Sequence, residues 1–486
     1  MFFIIYQRVT FQLTTRFLSF VVYRVEILWN KIASQEKEIE ALKERLNANS
    51  NNSSKPPSSN MFTRKKMKHK KRSKLKQGAQ EGHKGAAREL LPIEEVDHIE
   101  QCELPKACEC GGVITPTNKY QRHQVHELPR VKAMVTEYQL PSGYCENCKR
   151  YHEALLPVGV PTGMLGPIAM AKIGVLTSDY RLSKRNVTYL LDDFYGLKIS
   201  VGTVYNTEQS ISKALENVVE EAKAFIPKQS MINADETGHT EKQAKMWTWV
   251  CIAALVAVFI IRASRGAKVI KEMIGENFTG TLCTDRWSAY AWMASTLRQL
   301  CWAHLLRDFK KISERSGQSG KIGDHLLSNV YRMFHHWKKV KAGTLTREKY
   351  HALMSPVRKQ IEKLLAEGVA CRHPKTSGMC KKILLVKEAL WTFMEKEGVE
   401  PTNNLAEQVL RRIVIWRKTS FGTQSPKGTL YLERIMTVVA TCKLQKRNVL
   451  NFMTETLKAH LSNTGMPSLI PSCFQNVNEV AFANTA

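Results

Sequence analysis

Acidic charge and long apolar runs are what this sequence has too little of. Residues 247–261 carry no charge, but these 15 residues fall short of the roughly 20 that a membrane-spanning helix needs. Their β-branched and aromatic types suit a buried strand instead. The opening stretch is apolar, yet Arg8, Arg16 and Arg24 interrupt it and no small-residue cleavage site follows. It reads as neither signal peptide nor membrane span. Only 44 Asp and Glu face 72 Lys and Arg, a net charge of +28. A deficit of acid on that scale points to a polyanionic partner such as nucleic acid, although charge alone does not name the polymer. A disulfide scaffold is disfavoured as well: the 12 cysteines are dispersed through a large basic chain, the pattern of reduced thiols. A soluble, cytoplasmic protein with no membrane partner is the expectation.

What is present is modular. At 486 residues the chain exceeds one compact core, and about three domains are expected. After the apolar extension 1–24, Val25, Leu28, Ile32, Ile39, Leu42 and Leu46 form a heptad seam with Gln35 at the missing step. Residues 25–48 therefore suit a short coiled coil and a homo-oligomer, or a single amphipathic helix packed on its own protein. Segment 49–94 is a flexible basic linker: NANSNNSSKPPSSN cannot bury apolar surface. In residues 64–76, nine Lys or Arg stand without an acid. Arg64, Lys65, Lys66, Lys70, Lys71 and Arg72 are candidates to lie along DNA phosphates.

Residues 95–155 contain KACECGGVI and GYCENCKRYH. Cys108 and Cys110 with Cys145 and Cys148 match a structural zinc ribbon, four thiolates closing a tetrahedral site. The CxC spacing of the first pair is tight, which leaves Cys102 as an alternative to Cys108. Residues 160–228 read as helices, at 168–180, 183–194 and 201–224. Gly196 lies in a turn and Ser200 at an N-cap, the layout of a helix-turn-helix or of generic helical packing.

From residue 230 strands take over, at 230–234, 247–253, 256–262, 281–284 and near 299–303. No Gly, Asn or Pro marks a turn after Ala253. Helical periodicity returns at 305–397, 404–412 and 431–461. The fold class is α/β and multidomain, a mixed sheet flanked by helices. The tail 461–486 has no clear role.

Three acids stand in distinctive settings: Asp235 in MINADETGH, Asp285 in GTLCTDRWSAY and Glu407 in PTNNLAEQVLRR. Two Asp at strand ends and a Glu on a later helix can converge on a pair of divalent cations, Mg2+ or Mn2+, because hard oxygen donors suit hard ions. Glu236 competes with Asp235 for that role. Arg411, one turn beyond Glu407, could orient it or meet a phosphate, and Arg412 adds a second DNA-facing cation.

DETG, TDRWSAY, CWAH and NNLAEQVLRR, preceded by NSSKPPSSN and EGHKG, resemble the IS66-type DDE transposases of bacterial insertion sequences over roughly residues 25–460. The resemblance implies an RNase H-like catalytic domain at 229–460. Asp235, Asp285 and Glu407 would be its triad, and a helical insertion at about 310–400 would fill the 122-position gap between Asp285 and Glu407. It also implies a Cys and His pair, Cys301 and His304. His304 either touches the scissile phosphate, holds the insertion, or is a buried structural His. The implied activity is metal-dependent 3′-end cleavage and strand transfer. Its partners would be terminal inverted repeats, target DNA and accessory proteins of the same element, and its place in the bacterial cytoplasm would be the nucleoid. A nuclease without strand transfer and a catalytically decayed DNA-binding protein are the rival readings.

Overall fold

The computed structural model describes residues 2–49, 52–53, 89–117 and 119–474. The basic run, with Arg64, Lys65, Lys66, Lys70, Lys71 and Arg72, lies outside the described residues. The first element, α1 (Phe2–Asn47), is one continuous helix of 46 residues, so the apolar extension and the heptad seam belong to a single rod. Val25, Leu28, Ile32, Ile39, Leu42 and Leu46 are all exposed, and packing of the seam on this chain's own body does not occur among the described residues. The helix meets the rest of the protein through charge at its C-terminal end. Glu40 lies 2.6 Å from His373, and Glu44 lies 3.3 Å from Arg315 and 2.5 Å from Lys375. No helix among the described residues is long and apolar enough to cross a membrane.

A small antiparallel hairpin, β1 (Ser142–Cys145) and β2 (Arg150–Glu153), precedes the main body. Four helices follow: α2 (Pro167–Ser178), α3 (Lys184–Tyr195), α4 (Val201–Ala214) and α5 (Glu216–Phe225). Ser183 and Ser200 cap α3 and α4 by accepting from Asn186 N and Thr203 N. Gly196 ends α3 in the left-handed region, at φ 64°, where glycine carries no Cβ penalty. The expected helix 201–224 is interrupted at Leu215.

The centre is a five-stranded mixed α/β sheet made of β3 (Met231–Glu241), β4 (Ala244–Ala253), β5 (Val256–Arg262), β6 (Thr281–Thr284) and β7 (Arg298–Leu300), in the order β5-β4-β3-β6-β7. The pairs β3–β4 and β4–β5 are antiparallel, whereas β3–β6 and β6–β7 are parallel. Between β5 and β6 lies α6 (Ala267–Ile274). The β4–β5 connection is a two-residue hairpin closed by Ala253 opposite Val256. Ala254 and Leu255 both take positive φ, 45° and 67°. This is the conformation that Asn-Gly normally fills, so the turn carries no sequence signal.

After β7 the chain leaves the sheet through α7 (Trp302–Ser313), α8 (Gly317–Lys341), α9 (Arg347–Ala370), α10 (Pro374–Leu384) and the short α11 (Thr392–Glu395). These helices enclose a separate apolar core around Trp302, Phe309, Tyr350, Trp391 and Phe393. The chain then returns through α12 (Asn404–Ser420), α13 (Pro426–Leu444) and α14 (Val449–Ser462). Helices α2 to α5 share the main core with the sheet, α13 and α14, so no separate core divides residues 160–228 from those that follow. The segment after α14 packs here too: Leu469 and Ile470 are buried, and Gln445 donates to Leu469 O at 2.7 Å.

The outer edge of the sheet is closed by one helix. Ala257 N, Phe259 N and Ile261 N donate to Thr441 Oγ1, Thr437 Oγ1 and Glu433 Oε1 at 3.0, 3.0 and 2.6 Å. Four helical residues rise about 6 Å and two strand residues about 6.6 Å, so positions four apart on α13 keep step with alternate residues of β5. An edge that would otherwise present unpaired amides is satisfied throughout its length. Thr437→Val leaves Phe259 N–H buried without an acceptor and should cost about 1–3 kcal/mol. Chemical denaturation measures this loss, and hydrogen exchange at residue 259 should accelerate, whereas Thr437→Ser keeps both near wild type.

Candidate active site

The parallel register pairs Asn233 with Cys283. Asp235 and Asp285 each lie two residues beyond this pair, so both acids follow the end of the same parallel ladder. Asp285 follows the end of β6, as its apolar run suggested. Asp235, expected at a strand end, sits inside β3 opposite Val250 of β4. The reason is that β3 continues to pair with β4 after its pairing with β6 has stopped. Asp235 is thus at the end of the β3–β6 ladder, though not at the end of its strand.

Burial holds the Asp235 carboxyl well above its ordinary range, reinforced by the charges of Glu236, Asp285 and Glu407. Glu236, Asp285 and Glu407 therefore all lie within electrostatic reach of Asp235. Asp235 Oδ1 accepts from Glu236 N at 2.9 Å, and Asp285 Oδ1 accepts from Trp287 N at 2.8 Å. The adjacent Glu236 points into a different environment. Tyr290 OH donates to it at 2.5 Å and Arg265 Nε at 3.0 Å, while the Arg265 guanidinium stacks between Trp247 and Trp287, 4.5 and 3.8 Å from their ring centres. Both oxygens of Glu236 are thus engaged by side chains, whereas Asp235 accepts through Oδ1 from a backbone N–H.

Glu407 lies in the first turn of α12, where the positive end of the helix dipole favours a carboxylate. Asn403, just before that helix, does not cap it with its side chain. Instead Asn403 Nδ2 donates to Ala234 O at 2.8 Å, its Oδ1 accepts from Asn233 at 2.9 Å, and its N–H meets Cys301 Sγ at 3.2 Å. At the far end of α12, Gly422 (φ 96°) lets Thr423 exchange hydrogen bonds with Thr240 and Lys242; a Cβ there would fall 2.1 Å from Thr240 O. The helix carrying Glu407 is thus fixed to β3 at two points.

Cys301, His304 and Glu407 place their ligand atoms within 4.8 Å of one another. Cys301 is buried, and that burial raises its thiol to about 11, so it is a neutral acceptor for Asn403 N–H. His304 Nδ1 is 3.4 Å from Glu407 Oε1, and Arg307 Nη2 is 3.8 Å from Glu407 Oε2. Neither His304 Nδ1 nor Glu407 Oε1 has a hydrogen-bond partner, although both atoms are buried. Mutually repelling carboxylates with an orphaned buried oxygen form a donor set that divalent cations fit.

Residues 162–430 match the family described as Transposase IS66 family. The chain belongs to the IS66 transposase family. Residues 21–89 also match a family of unknown function (DUF6444). The chain is 24% identical to the uncharacterized protein y4qI of Sinorhizobium fredii (strain NBRC 101917 / NGR234), over 77% of this chain and 73% of that protein. It is 21% identical to the uncharacterized protein y4hP of the same strain, over 70% and 68%.

Several site residues of this IS66 transposase carried no signal of their own in the sequence. The cation beside Glu407 is Arg307, one turn after His304 on α7, and not Arg411, which is exposed. Arg412 is engaged internally, with Nη1 3.0 Å from Asp179. Buried Arg298 donates to Asp285 O at 3.3 Å. In the cysteine segment the thiols pair locally. Cys110 is lowered by Gly112 N–H and by Cys108, and Cys145 by the N–H and thiol of Cys148. Among the described residues, no three of these cysteines gather within 4.8 Å.

Asn403 generates the test of this geometry. Asn403→Ala leaves Ala234 O and the Asn233 amide unpaired in a buried place, and the variant should lose roughly 2–4 kcal/mol at about 1–2 per orphaned group. Urea denaturation monitored by tryptophan fluorescence reads the loss directly.

Proposed function

We propose that this protein is a DNA transposase in which Asp235, Asp285 and Glu407 form a DDE site, with DNA cut at the ends of its element and the freed 3′-hydroxyls joined to target DNA. The observation that supports this reading is that Asp235 and Asp285 each lie two residues past the end of one parallel ladder, while the Asn403 tie holds the helix of Glu407 on β3. Strand order and direction support an RNase H-like core: two antiparallel pairs on one side of β3 and two parallel pairs on the other.

The three carboxylates would hold Mg2+ or Mn2+, which would activate the attacking oxygen and stabilise the leaving one. The chain's own groups orient the substrate. Arg307 and His304, on one face of α7 beside Glu407, would meet phosphate oxygens. Arg298 beneath Asp285 offsets part of the concentrated negative charge. Each step is phosphoryl transfer and requires no covalent enzyme intermediate, in keeping with Cys301 being a buried neutral thiol.

Upstream modules supply affinity in this reading. The basic run would follow phosphates, the α3–turn–α4 unit would read terminal repeats, and the exposed seam of α1 would join two copies. Cys108 and Cys110 with Cys145 and Cys148 would hold one structural zinc. Both knuckles already direct backbone N–H groups at their sulfurs, as thiolate ligands require.

Inverted repeats flanking the gene define the substrate. With Mg2+, wild type should release 3′-ends and join them to a second duplex. Asp235→Asn, Asp285→Asn and Glu407→Gln should each lower cleavage by about a thousand-fold or more with end binding retained. Cleavage that never leads to joining would convert the reading to a nuclease, and no cleavage with any divalent ion would remove the enzyme. For the cysteine segment, full-length protein purified without chelator should contain about one zinc per chain, and Cys145→Ser/Cys148→Ser should contain almost none.

A further inference from the structure

A cleft of about 590 Å³ opens at Asp285 and His304 and runs between α7 and α10. Its walls are cationic. Arg307 and Lys311 stand four residues apart on α7, with Arg315 four further on, just past the helix end; Lys375, Met379 and Lys382 line the facing side of α10. A four-residue step on a helix rises about 6 Å, close to two nucleotides of a strand rising 3.4 Å each. The repeat therefore suits every second phosphate of a strand. Asp308, the acid on this wall besides Asp285, is already neutralised by Arg286. Lys311 and Lys382 have no ion-pair partner among the described residues. Six cations line the cleft against Asp285 and Asp308, so its lining carries a net positive charge that a polyanion would offset.

An anion of this chain already uses one end of the cleft. The Glu44 carboxylate of α1 bonds both Arg315 and Lys375, and Ser53, a few residues beyond α1, lines the same wall.

We propose that the α7–α10 cleft is a phosphate track that guides a DNA strand into the carboxylates, and that Glu44 occupies its far end until DNA displaces it. The proposal rests on the transposase reading for the direction of the strand, while its test reads binding alone.

The experiment uses the full-length chain, without divalent ions, and a fluorescein-labelled 40-base-pair duplex, with Kd measured by anisotropy across a salt series. Each lost phosphate contact lowers the slope of log affinity against log salt by about 0.9. Lys311→Gln/Lys382→Gln should therefore lower the slope by about two and weaken binding about ten-fold or more at low salt, with an unchanged thermal midpoint. Glu44→Gln removes the competing anion and should tighten binding about two- to five-fold. Lys349→Gln/Lys359→Gln, exposed positions on α9, controls for net charge.

An unchanged slope in the cleft variant overturns the proposal, as does an equal fall in the α9 control. Weaker binding by Glu44→Gln overturns the displacement step. Loss of cleavage in wild type would sink the DDE reading while leaving these binding results standing.

Discussion

Asn403 carries the contact on which the candidate site depends. Its side chain joins Ala234 O and Asn233 of β3, and its backbone N–H reaches Cys301 at the end of β7. One residue thereby ties its own segment to two others, 102 and 170 positions earlier in the chain. The constraint is needed because Glu407 stands on a helix that the chain reaches only after a separate helical unit with its own core. Without a direct tie to β3, the position of Glu407 relative to Asp235 would depend on the relative position of two cores. With it, α12 is set on the sheet itself, and the helical unit can differ in detail without moving the carboxylate.

A second constraint is electrostatic. Asp235 is held well above its ordinary range by burial and three neighbouring acids, an arrangement that costs stability and that a cation would repay. The surrounding structure sorts those acids by partner. Glu236 is engaged by Tyr290 and Arg265, whereas Asp235 and Glu407 keep oxygens without donors. Selection among adjacent acids follows from alternation along the strand: Glu236 faces the aromatic Trp249 and Tyr290 side, and Asp235 faces the other.

Much of the sheet was legible because buried strands announce themselves by composition. The runs at 247–253, 256–262 and 281–284 appear at those places in the structure, with β3 and β4 longer than their apolar centres. The Ala254–Leu255 turn was not legible, since its positive φ values are imposed by the register of two well-packed strands and not by turn residues. The same holds for α13, whose Glu433, Thr437 and Thr441 look like polar interruptions of an apolar helix until β5 is laid beside them. At the site, the acids stood out by their settings. Arg307, Arg298 and Asn403 did not, because each acts on a partner remote in sequence.

Local composition and spacing carried the basic character, the strand and helix series, the heptad seam and the three acids, whereas Cys301 and His304 stood out through the family resemblance. Only the folded chain shows that both oxygens of Glu236 are engaged, that Arg307 and not Arg411 lies beside Glu407, and that residues 160–228 share the core of the sheet. The physical reason is common to all three. A side chain's available partners are set by register and packing across distant segments, and neither quantity is encoded in any one window of the chain.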